Sequence, residues 1–185
     1  MAENPADMPT PVPERSCDGC TMCCKIFGIP ELEKPRHEWC GHCEIGKGCK
    51  IYETRPQSCR DFVCGWLVDA SVPEHLKPSK SRMVLTTEDG GRRLVINVDT
   101  GRLDAWKKAP YYAEIKRMAA AIARTRGQLI LWQGRNAIAI LPDRDKPLGP
   151  IAPGQIIVTT ERDGPGGGEL DVEVMDAAQL AASQR

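Results

Sequence analysis

The chain has 185 residues, 25 of them basic and 25 acidic, for a formal net charge of zero, and 41% hydrophobic residues. This length holds one domain or two small ones with a real core. It lacks the basic surplus expected of a nucleic-acid binder, and nothing approaches the roughly 18 apolar residues of a membrane span.

In chain order, Met1 to Ser16 carries four prolines and little hydrophobicity and reads as a disordered arm. It has no apolar core of a secretory signal, so the expected compartment is a reducing cytoplasm. From Cys17 to Cys64 the sequence holds all nine cysteines: C17-D-G-C20-T-M-C23-C24, C40-G-H-C43, then C49, C59 and C64. Structural cysteines behave as small hydrophobes and scatter through a core. Crowding at such short gaps calls for disulfides, metal or redox chemistry. Disulfides fit a reducing compartment poorly, and the count is odd.

Metal fits better. A C-x-x-C turn places two sulfurs on one side of a loop, and two such pairs make a tetrahedral zinc site. The run C17-x2-C20-x2-C23 also copies the opening of a ferredoxin-type ligand series, although Cys24 and Lys25 replace its usual ending. Nine sulfurs exceed the need of one mononuclear site, which leaves two sites, or a cluster with spare thiols, as alternatives. Cys43 closes a local C-x-x-C with Cys40, and Cys64 lies about one helical turn beyond Cys59. Zinc or iron, the latter as an ion or an iron–sulfur cluster, is the expected cofactor. The segment is poor in large aliphatic residues, so a metal worth about 10–16 kcal/mol in small zinc peptides would be integral to its fold.

The same residues carry a resemblance. Cys17, Cys20, Cys23 and Cys24 reproduce whole the opening of the CxxCxxCC cysteine-cluster family (YkgJ-type). Cys40, followed by Cys49-Lys50-Ile51-Tyr52-Glu53-Thr54-Arg55-Pro56-Gln57-Ser58-Cys59-Arg60-Asp61-Phe62, is similar to its second half. The resemblance thus implies Cys17, Cys20, Cys23, Cys24, Cys40, Cys49 and Cys59 as metal ligands, and Cys43 and Cys64 lie outside that motif. The resemblance covers about residues 17 to 66 and implies a zinc- or iron-chelating cluster without a settled activity. Some larger relatives couple such a cluster to lysine methylation of flagellin, but no G-x-G-type cofactor loop is present here.

Thr54-Arg55-Pro56-Gln57 looks like a capping box, with Arg55 and Pro56 as the alternative start of a helix running to about Phe62 and carrying Cys59. After Ser81 alternation takes over. Met83 to Thr87 and Leu94 to Val98 predict a hairpin about Asp89-Gly90-Gly91. Tyr111 to Arg126 predicts a helix with Ile115, Met118, Ala119 and Ile122 on one face, closed by Gly127. Leu129 to Trp132 with Ala137 to Leu141, and Ile156 to Thr160 with Leu170 to Val174, predict two more hairpins, and Asp176 to Arg185 a polar tail.

The fold class is therefore α+β: a cysteine-rich metal-binding lobe with short helices at residues 17–78, behind the arm at 1–16, then a mostly antiparallel sheet module with one main helix at 79–185. The residues suggest no catalytic constellation. His42 is a candidate to replace a sulfur or else a supporting donor or solvated group, Arg55 and Arg60 to face sulfur or an anion or else to form surface salt bridges, and Trp39 and Trp66 to shield the cluster as core. The functional expectation is a metal-binding, mainly structural cysteine cluster, with an iron–sulfur redox protein as the alternative. The expected partners are a metal ion and an unidentified protein, without nucleic acid or membrane.

Overall fold

Proline and glycine keep the elements of the first eighty residues short, because each proline removes a backbone donor and fixes φ. The computed structural model describes residues 9–164 and 167–183. Its short elements are helix α1 (Met22–Ile26), strands β1 (Cys43–Glu44) and β2 (Gly48–Cys49), and helices α2 (Gln57–Arg60), α3 (Gly65–Val68) and α4 (Pro78–Ser81). Single 3-10 turns at Pro30–Leu32, Tyr52–Thr54 and Glu74–Leu76 join them. The longer elements are β3 (Met83–Glu88), β4 (Arg93–Val98), α5 (Tyr111–Ala123), β5 (Gln128–Gln133), β6 (Asn136–Ile140), β7 (Asp145–Pro150), β8 (Gln155–Gly164), β9 (Gly167–Asp176) and α6 (Ala177–Ser183). Antiparallel sheets with one main helix make the fold α+β.

The sheets are the pair β1-β2, a five-stranded sheet in the order β3-β4-β5-β6-β7, and the pair β8-β9. The chain divides into two compact units, Met1–Thr86 with Asn97–Trp106, and Thr87–Ile96 with Lys107–Arg185.

The first unit holds α1 to α4 and the small hairpin. Met22 and Ile26, one turn apart on α1, are both buried, as are Trp66, Leu76, Met83 and Leu85. Gly65 opens α3 where an added Cβ would come within 3.2 Å of Leu85. The Lys25 ammonium reaches the Asp99 carboxylate at 2.6 Å, and the same carboxylate accepts from the Gly101 amide at 3.0 Å, building a turn at Asp99. The arm expected over residues 1–16 lies outside the described residues at positions 1–8. Residues 12–15 are pinned: the Val12 amide donates to the Leu67 carbonyl at 2.9 Å, and Arg15 donates to the carbonyls of Trp66, Asp69 and Val72.

The expected helix around Cys59 is shorter than the sequence suggests, and the capping box does not form. Thr54 ends a 3-10 turn, Pro56 precedes the helix, and no cap side chain bonds to it. Glu31 takes over that task, accepting from the Ser58 amide at 2.9 Å and from the Ser58 hydroxyl at 2.7 Å. The helix stops at Arg60, and Phe62 turns away to pack against Phe27, the rings tilted by 44° with centroids 4.8 Å apart.

In the second unit α5 packs on β5 and β6 with Ile115 and Ala119 buried and Met118 and Ile122 half-buried. Its end differs in detail from expectation. Arg126 takes the left-handed conformation at φ 57°, and the Gly127 amide donates back to the Ile122 carbonyl at 3.0 Å. Glycine is needed at 127 for closeness, since a Cβ would lie 2.5 Å from the Arg92 carbonyl oxygen. The β5-β6 hairpin turns in two residues between Gln133 and Asn136, with Gly134 at φ 64°. Ile130, Ala137, Ala139, Leu141, Ile157 and Val172 form one buried cluster. Strand β7, unforeseen in the sequence, carries Pro147 and Pro150 and occupies the sheet edge, where a missing donor is tolerated. Between the two strands of the last expected hairpin, Pro165 and Gly166 lie outside the described residues, as do Gln184 and Arg185 of the expected tail.

Candidate metal centre

All nine cysteines belong to the first unit, and all are free. Their placement follows from a few short backbone links. The Cys40 amide donates to the Cys24 carbonyl at 3.1 Å, and the Cys43 amide donates to the Cys40 carbonyl at 3.0 Å. Cys43 then lies directly opposite Cys49 in the β1-β2 pair. Four cysteines from separate stretches are thus tied in sequence, 24 to 40 to 43 to 49. The hairpin tip is fastened to the start of α1, where the Gly46 amide donates to the Thr21 hydroxyl at 3.2 Å. Gly46, at φ 77°, supplies the left-handed backbone this needs.

The sulfurs of this group interact. Cys24 lies within electrostatic reach of both Cys23 and Cys43, and Cys59 within that of Cys24, Cys40 and Cys49. Cys24 is raised far above an ordinary thiol, first by its contact with Cys23, then by burial. Burial pushes Cys43 up to about 11, helped by the nearby Cys24 and opposed by the Thr21 hydroxyl. Cys59 is raised mainly by burial, and the Ser58 side chain opposes this. In the absence of a cation these thiols hold their protons at neutral pH, because charge is costly among buried like groups.

The remaining thiols lie elsewhere in the unit. The Cys20 amide donates to the Cys17 carbonyl at 2.9 Å, closing the first C-x-x-C turn. Cys64 is not carried on the Cys59 helix, as a continuous turn would require. It precedes α3, buried, and its electrostatic neighbours include Cys20 and Cys17. Burial pushes Cys64 up to about 11, opposed by the amides of Leu67 and Trp66. Cys17 is exposed at its surface, yet crowding by the surrounding protein, with Cys20, raises it, and Arg55 and Lys77 pull the other way.

Several supporting residues went unnoticed in the sequence. Lys34 is only 8% exposed, and its ammonium donates to the carbonyls of Lys25, at 2.9 Å, and Phe27. Burial lowers its pKa, while Cys40, Cys24 and Cys23 act to raise it, which places an amine beside the thiols. Arg15 and Lys77 stand over the ring of buried Trp66 at 5.1 and 4.9 Å. Glu31 positions the Cys59 helix. No motif marks these residues; they are single charges in proline-rich or irregular stretches.

Other candidates take other places. The His42 side chain is exposed, and Trp39 is half-buried with the Lys25 ammonium 5.6 Å from its ring. Tyr52 is exposed beneath the Arg55 guanidinium, 3.9 Å from the ring centre. Arg60 folds back to the carbonyls of Arg55, at 3.0 Å, and Glu53, at 2.6 Å, a backbone-bracing role.

As donors, closely spaced thiols suit a soft cation such as zinc or iron. Among the described residues, however, no group of three or more His, Cys, Asp or Glu side chains is arranged to hold a metal ion. The donor chemistry fits, and the sulfurs do not close on a point as they stand. No helix among the described residues is long and apolar enough to cross a membrane. Comparison with family models, with curated proteins and with solved structures gives no match to this chain.

Proposed function

We propose that this chain is a cysteine-cluster metal-binding protein of the CxxCxxCC type, holding zinc or iron through thiolates of its first unit. The metal serves mainly to fasten that lobe, and the protein acts in binding or metal handling in a reducing, cytoplasmic setting. One observation carries the reading: Cys24, Cys40, Cys43 and Cys49 are linked through two hydrogen bonds and a strand register. Four thiols so placed have the composition of a structural zinc site. Cys59 and Cys23 flank the group, and Lys34 stands beside it as a fixed positive charge.

A bound ion would supply the cross-link that five- and four-residue helices cannot provide by burial. The chain's own residues do the rest. Thr21 and the Gly46 amide hold the hairpin against α1, Glu31 holds the Cys59 helix, and the Lys34 ammonium offsets thiolate charge. Because a thiol must give up its proton to bind a cation, uptake strengthens with rising pH.

The number of thiols in the neighbourhood favours one alternative, an iron–sulfur cluster with spare sulfurs in electron transfer or oxidant sensing. Anaerobic purification without chelator, followed by metal and acid-labile sulfide analysis, tests both. Colourless protein with stoichiometric zinc supports the structural site, and brown protein with iron and sulfide supports the cluster. Protein with neither metal refutes the proposal.

A further inference from the structure

The nine thiols sit on two backbone-linked runs that meet at Thr21, whose carbonyl accepts from the Cys24 amide at 3.1 Å and whose hydroxyl accepts from the Gly46 amide at 3.2 Å. The first group is threaded by the links 24 to 40 to 43 to 49. The second has its own scaffold. The Val12 amide donates to the Leu67 carbonyl at 2.9 Å, and the Arg15 guanidinium grips the carbonyls of Asp69 and Val72, each at 2.8 Å, and of Trp66. This strap runs straight into Cys17, and α3, which it holds, begins immediately after Cys64. The Cys17–Cys20 turn is thereby fastened next to Cys64, and the three thiols lie within electrostatic reach of one another.

We infer that the chain holds two separate metal centres, one drawn from Cys24, Cys40, Cys43 and Cys49 with Cys59 beside them, and a second from Cys17, Cys20 and Cys64. This rests on the metal-binding reading and extends it by assigning the two cysteines outside the family-like motif to different centres. Cys43 joins the first because it pairs with Cys49 across the hairpin. Cys64 joins the second because the helix that would have carried it to Cys59 ends at Arg60. Neither group closes on a point by itself, so each draws together as the ion enters, the usual coupling of metal uptake to local folding.

The second centre has a distinct character. It offers three thiolates and leaves a fourth position to water or an outside ligand, the arrangement of an exchangeable or reactive site rather than a closed one. Cys17 is exposed, so its ion meets solvent. Arg55 and Lys77 stand near Cys17 and offset the charge of the thiolates. This centre should therefore lose its ion to a chelator before the hairpin centre does.

The test is metal content per chain, measured on anaerobically purified full-length protein loaded with zinc, alongside circular dichroism. Wild-type protein should carry two ions, one removed rapidly and one slowly by a competing chelator. Cys17→Ser, at an exposed position that the core does not need, and Cys64→Ser should each remove the fast-exchanging ion and keep the other. The double variant should lose no more than either single one. Cys49→Ser should remove the slow ion and keep the fast one. Cobalt substitution gives a second readout, since thiolate-to-cobalt absorption should fall by about half in Cys17→Ser. One ion per wild-type chain, or loss of both ions from folded Cys17→Ser protein, would overturn the two-centre assignment and leave the metal-binding reading intact. Wild-type protein that takes up no metal would overturn both.

Discussion

Removing the Arg15 side chain tests how the segment before the first cysteine is held. Its guanidinium makes three bonds to carbonyls of the α3 region and stands 5.1 Å from the Trp66 ring. The bonds to Trp66 and Val72 are partly buried, whereas the one to Asp69 is exposed. Allowing about 1 kcal/mol for each partly buried bond, little for the exposed one, and about 0.5–1 kcal/mol for the ring contact, Arg15→Ala should cost about 3 kcal/mol. At about 2–4 °C per kcal/mol for a chain of this length, melting should fall by about 6–12 °C. Arg15→Lys, with a compact ammonium in place of the planar fork, should recover only part of the loss. Thermal melting followed by tryptophan fluorescence checks this, with near-ultraviolet circular dichroism as a second probe. Arg15→Ala melting within about 2 °C of wild type would refute the strap as a stabilising element.

Two further expectations concern the fold. Asp99→Asn should cost about 2–3 kcal/mol, since the Asp99 side chain is 4% exposed and the substitution strands the Lys25 ammonium. Burial works against the Asp99 carboxylate, but the Lys25 bond and the Gly101 amide outweigh it and hold its pKa below the usual 3.8, so its contribution is present above that value and is lost as pH falls through the lower, folded one. Urea midpoints of wild type and Asp99→Asn should therefore converge in acid. Gly127→Ala should cost about 1–3 kcal/mol by overpacking against the Arg92 carbonyl and Ile122, again read from the urea midpoint.

The strand alternation after Ser81 was legible because each hairpin is a local event. Asp89-Gly90-Gly91 and Gly134 announce their turns, and period-two patterns on either side fix the register. Strand β7 escaped notice because Pro147 and Pro150 argue against a strand anywhere except at an edge, and edge position is a property of the whole sheet. In the cysteine lobe, composition announced the chemistry but not the grouping. The pairing of Cys43 with Cys49 depends on two-residue strands too short to show a period. The separation of Cys64 from Cys59 depends on Phe62 leaving the helix for Phe27, a contact that sequence spacing does not encode. The Thr54 box misled for a similar reason: Glu31, 27 residues before Ser58, captured the amide that the local cap would have held.

Lys34 offers the sharpest discrimination between a thiol cluster that binds a cation and one that merely packs. An amine that is 8% exposed carries a desolvation penalty, and its bonds to the Lys25 and Phe27 carbonyls offset part of it. Beside protonated thiols the anion that acts on it is the exposed Glu38 carboxylate. Beside a metal held by four thiolates it also faces a net charge of about −2. At an effective dielectric of about 20, a generic pair of unit charges about 10 Å apart interacts by about 1.7 kcal/mol and a −2 centre by about twice that, of which salt screening leaves a part. Lys34→Met should therefore change the stability of metal-free protein by less than about 1 kcal/mol, while weakening metal uptake by about tenfold, or about 1.4 kcal/mol. Competition with a chromogenic chelator reads the second quantity and urea melts of the metal-free protein read the first. Unchanged metal affinity, or a stability loss in metal-free protein as large as the loss in binding, would mean that Lys34 only braces the backbone of Lys25 and Phe27.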